Sequence, residues 1–198
     1  MTKLARGFQL AILFIGMSSM AFGTTVFADN FDDGDVSDWT KFSNFGGTTN
    51  ITVRGDTFVS PGYSLYTYLA APPTGSALTV EASHGFTAPS AGDYTLTLWA
   101  MSSPCSGCTI SYDVIIDGIR LDRKQQTSAF EYRTIYLPNL ASGAHTLTLG
   151  MFTTLAINGV FSASFDDVSI VTGTPEPSSA ILLLSGLGVL GAAIRRRV

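Results

Sequence analysis

The stretch between the chain's two apolar ends predicts an all-β domain, on three observations. Short runs alternate strictly between apolar and polar residues, Gly, Pro and Ser clusters separate them, and no stretch shows the 3.6-residue periodicity of an amphipathic helix. Several such runs in succession describe a sandwich or barrel and not βαβ units.

The elements follow in chain order. Lys3 and Arg6 precede an apolar stretch from about Phe8 to Phe22, the layout of an export leader, which sets residues 1–28 apart as a signal peptide. Val26-Phe27-Ala28 offers small or medium residues where a signal peptidase reads, so the preferred cut falls after Ala28, with Gly23 as the alternative. The body then runs from 29 to 172, an ordinary single-domain length. Strands are expected at 50–54, 64–69, 77–81, 94–101, 110–116, 132–137, 146–151 and 164–171. In Tyr94-Thr-Leu-Thr-Leu-Trp-Ala-Met101, Tyr94, Leu96, Leu98 and Ala100 share one face and Trp99 takes the other. Ile110, Tyr112, Val114 and Ile116 alternate likewise and lead into Asp117-Gly118, a hairpin signal. Thr146–Met151 repeats the pattern after an Ala141–Ala144 turn.

Charge narrows the partners. Fourteen of the fifteen acids but only six of the eleven bases fall within 29–172, leaving the body near −8 against −4 for the whole chain. Such a surface repels phosphate backbones, which need clustered Lys and Arg, so nucleic acid is not a partner class for this domain.

Residues 173–198 form a tail of a different kind. Pro175-Glu176-Pro177 precedes seventeen apolar or small residues, Ser178 to Ile194, and then Arg195-Arg196-Arg197. Seventeen residues reach the short end of a membrane-spanning helix, and the arginines hold their end on the cytoplasmic side. These residues resemble the PEP-CTERM sorting signal in order and spacing. The resemblance implies handling by an exosortase at the inner membrane, removal of the tail, and delivery of the body to the cell surface or to a biofilm matrix with its exopolysaccharide.

Four stretches of the body resemble jelly-roll, galactose-binding-like carbohydrate-binding modules. They are Phe31-Asp-Asp-Gly34 with Trp39, Pro61-Gly-Tyr-Ser-Leu65, Ala91–Ala100, and Phe165-Asp-Asp-Val-Ser-Ile170, and Leu140–Leu149 fits as the strand entered from an Ala/Gly turn. The resemblance implies a jelly-roll β-sandwich of about eight or nine strands and a carbohydrate partner. Aromatic rings are the side chains that pack on sugar faces. Tyr66 and Tyr68 share a strand face, Tyr132 and Tyr136 share another, and Trp99 opposes the leucine row, which makes these five the candidate ligand contacts; Trp39 reads as core.

Two smaller features complete the reading. The acids Asp29, Asp32, Asp33, Asp35 and Asp38 crowd ten residues, and oxygen-rich clusters suit Ca²⁺, although no bidentate Glu closes an EF-hand loop. The resembled modules imply a structural calcium shared between Asp32 or Asp33 and Asp166 or Asp167 of the last strand. Cys105 and Cys108, the only cysteines, lack the further ligands zinc needs and read as a disulfide pinching a loop. His84 and His145 stand beside turns without a nucleophile motif, so the sequence carries no catalytic constellation and the chain reads as a non-enzyme.

Overall fold

A computed structural model describes residues 23–71, 77–103, 109–125, 127, 129–154 and 159–173. Most of the leader, Cys105 and Cys108, and the tail with its span at 178–194 and Arg195–Arg197 lie outside them. Among the described residues no helix is long and apolar enough to cross a membrane.

Among the described residues eleven antiparallel strands form two sheets, so the all-β sandwich is as the sequence predicts, with more strands than the expected eight or nine. They are β1 Thr25–Asp29, β2 Thr40–Ser43, β3 Thr48–Arg54, β4 Ser64–Ala71, β5 Leu78–Ala88, β6 Gly92–Ser102, β7 Ile110–Ile116, β8 Ile119–Gln125, β9 Glu131–Leu140, β10 Gly143–Thr153 and β11 Gly159–Thr172. One sheet runs β3-β4-β11-β6-β9, with β1 also on β11; the other runs β2-β5-β10-β7-β8. β4 pairs with residues 159–165 of β11 and β1 with residues 168–171, so the long last strand carries two successive partners along one edge.

The alternating residues meet between the sheets. Leu65, Leu69, Leu96, Leu98, Ala163 and Phe165 from one layer face Val80, Tyr112, Val114, Leu147, Leu149 and Met151 from the other, all fully buried. Tyr112 and Phe165 meet edge-on across the gap at 6.1 Å. Burial pushes the Tyr112 phenol well above its usual range, and its hydroxyl donates to Asp122. Asp122 also receives the Arg133 guanidinium at 2.7 Å, and Lys124 pairs with Glu131, so charged pairs from β8 and β9 close one rim of the sandwich.

The outer face of the β2-β5-β10-β7-β8 sheet is held by charge. Asp113 takes both Arg120 and Arg123, and the Arg123 guanidinium lies 3.7 Å from the Phe152 ring centroid. Pairing with two guanidiniums is what allows this carboxylate to be buried. Between Asp113 and Glu81 stands Gly150, where an added Cβ would come 2.6 Å from Glu81 Cγ.

The β7–β8 hairpin turns through Asp117 and Gly118, both at positive φ, as an Asp-Gly two-residue turn requires. Asp117 is tied to β10: one carboxylate oxygen accepts the Thr146 amide at 2.9 Å and the other meets His145 Nδ1 at 2.6 Å. His145 Nε2 lies 2.9 Å from the Ala141 carbonyl. Two acceptors, one at each ring nitrogen, favour the doubly protonated ring, and the bond to Asp117, outweighing burial, raises the His145 pKa. The stabilisation is therefore complete below the ordinary histidine pKa of about 6.5 and is lost as pH rises through the raised folded value. The melting temperature of the folded domain should fall between pH 6.5 and pH 9, and His145→Gln should flatten that fall; equal slopes for the two proteins would contradict the assignment.

Candidate functional site

The outer face of the β3-β4-β11-β6-β9 sheet gathers the candidate ligand contacts. Register fixes who neighbours whom. Thr52, Tyr66, Ser164 and Met101 stand side by side across β3, β4, β11 and β6, and Asp166, Trp99 and Tyr132 form the next row across β11, β6 and β9. Asn50, Tyr68 and Ser162 flank the first row. Ser169, Thr97 and Thr134 flank the second, and Tyr136 follows beside Thr95.

The rings form two groups separated by β11. Tyr66 and Tyr68 lie 6.1 Å apart with the Arg54 guanidinium 4.5 Å over the Tyr66 ring. Trp99 and Tyr132 lie 5.2 Å apart at 58°. Two strand spacings of about 4.8 Å separate Tyr66 on β4 from Trp99 on β6. Tyr132 and Tyr136 are 53% and 60% exposed, so their surfaces are free to meet a ligand. Tyr136 donates its hydroxyl to Asp93, which holds the ring at the rim and keeps the Asp93 carboxyl below its usual range. Between the ring groups β11 supplies hydroxyls. Ser164 is 1% exposed, and its hydroxyl finds no hydrogen-bond partner among the described residues. A buried polar group without a partner costs about 1–3 kcal/mol.

The loop from Gly55 to Tyr63 covers one end of this face, and Asp166 holds it there. Asp166 Oδ2 accepts the Val59 amide at 2.7 Å and the Ser60 amide at 3.1 Å, Oδ1 accepts the Asp167 amide, and the Ser60 hydroxyl adds a further contact. Burial still outweighs these donors and raises the Asp166 pKa.

Asp167 lies elsewhere. Its φ of 48° marks a slip in β11, where the register to β6 jumps from Asp166 to Ser169. The slip lets Phe165 and Val168 both enter the core, separates the two aspartates, and sends Asp167 to a cavity of about 590 Å³ with Asp29, Asp33, Asp35 and Asp38. Among the described residues no lysine or arginine lines that cavity. Several of its carboxylates are already used. Asp29 accepts the Phe31 amide and Trp39 Nε1, each at 2.8 Å, Asp33 accepts the Asp35 amide, and Asp35 accepts Ser37. Burial is the main cause raising the Asp29 pKa. Asp32 faces away toward the β3–β4 loop, where a Cβ on Gly62 would fall 2.1 Å from its Oδ1. Of the four residues named for calcium, the structure therefore brings Asp33 and Asp167 together and places Asp32 and Asp166 apart from that cavity. No group of three or more potential ligand residues stands in metal-binding geometry among the described residues.

Arg54, Ser164 and the loop-anchoring role of Asp166 were not foreseen. The sequence signal for the last was available: Asp166 is the acid on the polar phase of Ser162 and Ser164.

Comparisons with known proteins bear on both tail and body. Residues 174–197 match the PEP-CTERM protein-sorting motif, a match that includes Pro175, Glu176, Pro177 and Arg195–Arg197 and marks an exported, C-terminally sorted surface protein. No curated protein sequence matches the chain. The fold is similar to TmCBM61, a structure solved in complex with beta-1,4-galactotriose (17% identity, 73% of this chain and 94% of that one, TM-score 0.50). It is also similar to the K1 cleaved adhesin domain of Lys-gingipain from Porphyromonas gingivalis W83 (15% identity, 76% and 99%, TM-score 0.54). A third likeness is to the CBM22-1-CBM22-2 tandem of Paenibacillus barcinonensis Xyn10C, of which this chain covers 50% (15% identity, 81% of this chain, TM-score 0.51). At these identities the likeness establishes the β-sandwich fold.

Removing the Asp166 carboxylate strands three amides at the covered end of the face. Asp166→Ala should cost about 2–4 kcal/mol in urea unfolding. Asp166→Asn, which keeps one acceptor oxygen, should cost less.

Proposed function

We propose that the domain is a non-catalytic carbohydrate-binding module that takes a neutral glycan on the outer face of the β3-β4-β11-β6-β9 sheet. One observation carries the reading: Tyr66, Tyr68, Trp99, Tyr132 and Tyr136, on three strands far apart in sequence, share that single face. Flat rings offer apolar area to the C–H faces of pyranoses at low entropic cost, and the Thr97 and Thr134 hydroxyls beside Trp99 and Tyr132 suit sugar hydroxyls. A net charge near −8 on the body argues against polyanionic glycans. The carbohydrate-binding modules that share the fold support the reading by analogy.

The mechanism is stacking with hydroxyl matching. Trp99 and Tyr132 would take one sugar ring and Tyr66 with Tyr68 another, with the chain crossing β11 between them. The loop anchored by Asp166 would limit its length at one end. The protein would be sorted by an exosortase at its tail and retained with exopolysaccharide at the surface or in a biofilm matrix. A second reading, an adhesive surface protein working through protein contacts, draws on the fold shared with a gingipain adhesin domain. A structural calcium is a further proposal, confined to the cavity that Asp33 and Asp167 line.

On an array of neutral and acidic oligosaccharides, β-1,4-galacto-oligosaccharides among them, binding should concentrate on neutral chains. Trp99→Ala and Tyr132→Ala should each weaken the best ligand at least tenfold, about 1.4 kcal/mol, while the far-UV spectrum stays unchanged. Absence of binding to every glycan, with capture of a surface protein instead, would favour the adhesive reading. Added calcium should raise the melting temperature and a chelator lower it, an effect that Asp33→Asn should abolish; a melting temperature indifferent to both would remove the ion.

A further inference from the structure

We propose that the export leader is cut between Gly23 and Thr24, so that the exported chain begins at Thr24 and keeps the whole of β1. The inference rests on the leader read from residues 1–28 and is independent of what the domain binds. A cut after Ala28 would remove four of the five residues of β1, and the folded unit depends on them.

Three sets of contacts lie upstream of Ala28. The compact unit begins at Thr24, whose amide donates to Thr172 Oγ1 at 2.7 Å and whose carbonyl accepts the Thr172 amide at 2.9 Å. Thr25, Phe27 and Ala28 pair with Val171, Ile170 and Ser169 of β11. Because β4 leaves that edge of β11 at Phe165, no other strand among the described residues covers residues 168–171 there, and losing β1 would open the edge. The Phe27 ring packs 5.0 Å from His84, 6.1 Å from Trp39 and 6.5 Å from Phe86, and Val26 and Phe27 both lean on the core. A chain starting at Asp29 would lose this apolar cover and place an ammonium charge at a part-buried residue. The Asp29 side chain is already committed to Phe31 and Trp39.

The alternative junction satisfies the peptidase equally well. Ala21-Phe22-Gly23 places small residues at the first and third positions before the cut, as an Ala-x-Ala-like site requires. The reaction is hydrolysis. The oxygen of water bonds to the Gly23 carbonyl carbon, the C–N bond to Thr24 breaks, and the amine takes both of the water's protons, leaving a Gly23 carboxylate and a Thr24 ammonium. That ammonium still has hydrogens to give Thr172, so the contact at the strand's start survives processing.

The test is expression of the full chain in an exporting bacterium, followed by N-terminal sequencing and mass measurement of the exported product. A start at Thr24 is expected; a start at Asp29, or a retained leader, would overturn the proposal. Two substitutions separate the junctions. Gly23→Phe should cut the yield of the Thr24 form at least tenfold. Ala28→Lys, at an exposed β1 position, should leave processing unchanged. Altered processing in Ala28→Lys with normal processing in Gly23→Phe would place the cut after Ala28.

Discussion

β11 makes one slip in its alternation, at Asp166 and Asp167, and much of the molecule is arranged around it. Before the slip Phe161, Ala163 and Phe165 point into the core; after it Val168 and Ile170 do. A strand with strict period two over fourteen residues would have exposed one of these sets. The extra residue, held at positive φ, lets both halves bury their apolar side chains. It also delivers two neighbouring carboxylates to different surroundings: one under the β3–β4 loop, the other into the acidic cavity.

Much of this was readable in the sequence, and the unread parts have physical reasons. The eight foreseen strands correspond to β3–β7 and β9–β11, because each carries a clean apolar phase such as Tyr94-Leu96-Leu98-Ala100. β2 was not seen because its four residues are mostly exposed. β8 hides its alternation behind Arg120, Asp122, Arg123 and Lys124, whose partners are Asp113, Arg133 and Glu131 on other strands. β1 was absorbed into the leader, whose composition it shares. The phases of Tyr66, Tyr68, Trp99, Tyr132 and Tyr136 were legible strand by strand. Their union on one face was not, since which strands neighbour which is decided by contacts distant in sequence. Strict alternation would carry the phase of Ser162, Ser164 and Asp166 on to Val168 and Ile170, and the register slip after Asp166 is what breaks it.

Charge is distributed with the same economy. Asp113 is neutralised by two guanidiniums, Asp122 by Arg133, and Asp117 by His145, so most basic side chains of the body are committed to acids on neighbouring strands. Arg54 shares itself between Asp56 and the face of Tyr66. Much of the excess negative charge gathers around the cavity lined by Asp29, Asp33, Asp35, Asp38 and Asp167, while Tyr132, Tyr136 and Thr134 on β9 meet solvent as rings and a hydroxyl.

The mutual hydrogen bonds of Thr24 and Thr172 put the entry and exit of the folded unit side by side. Adjacent ends are the geometry that tolerates transplantation. The unit can be spliced into a surface loop of an unrelated host whose loop ends stand about 5 Å apart, the spacing of paired strands. The same closeness lets a short Gly/Ser bridge join the two ends, so that new termini can be opened at a hairpin tip such as Asp117-Gly118. The domain is thus a portable cassette as well as the body of one surface protein.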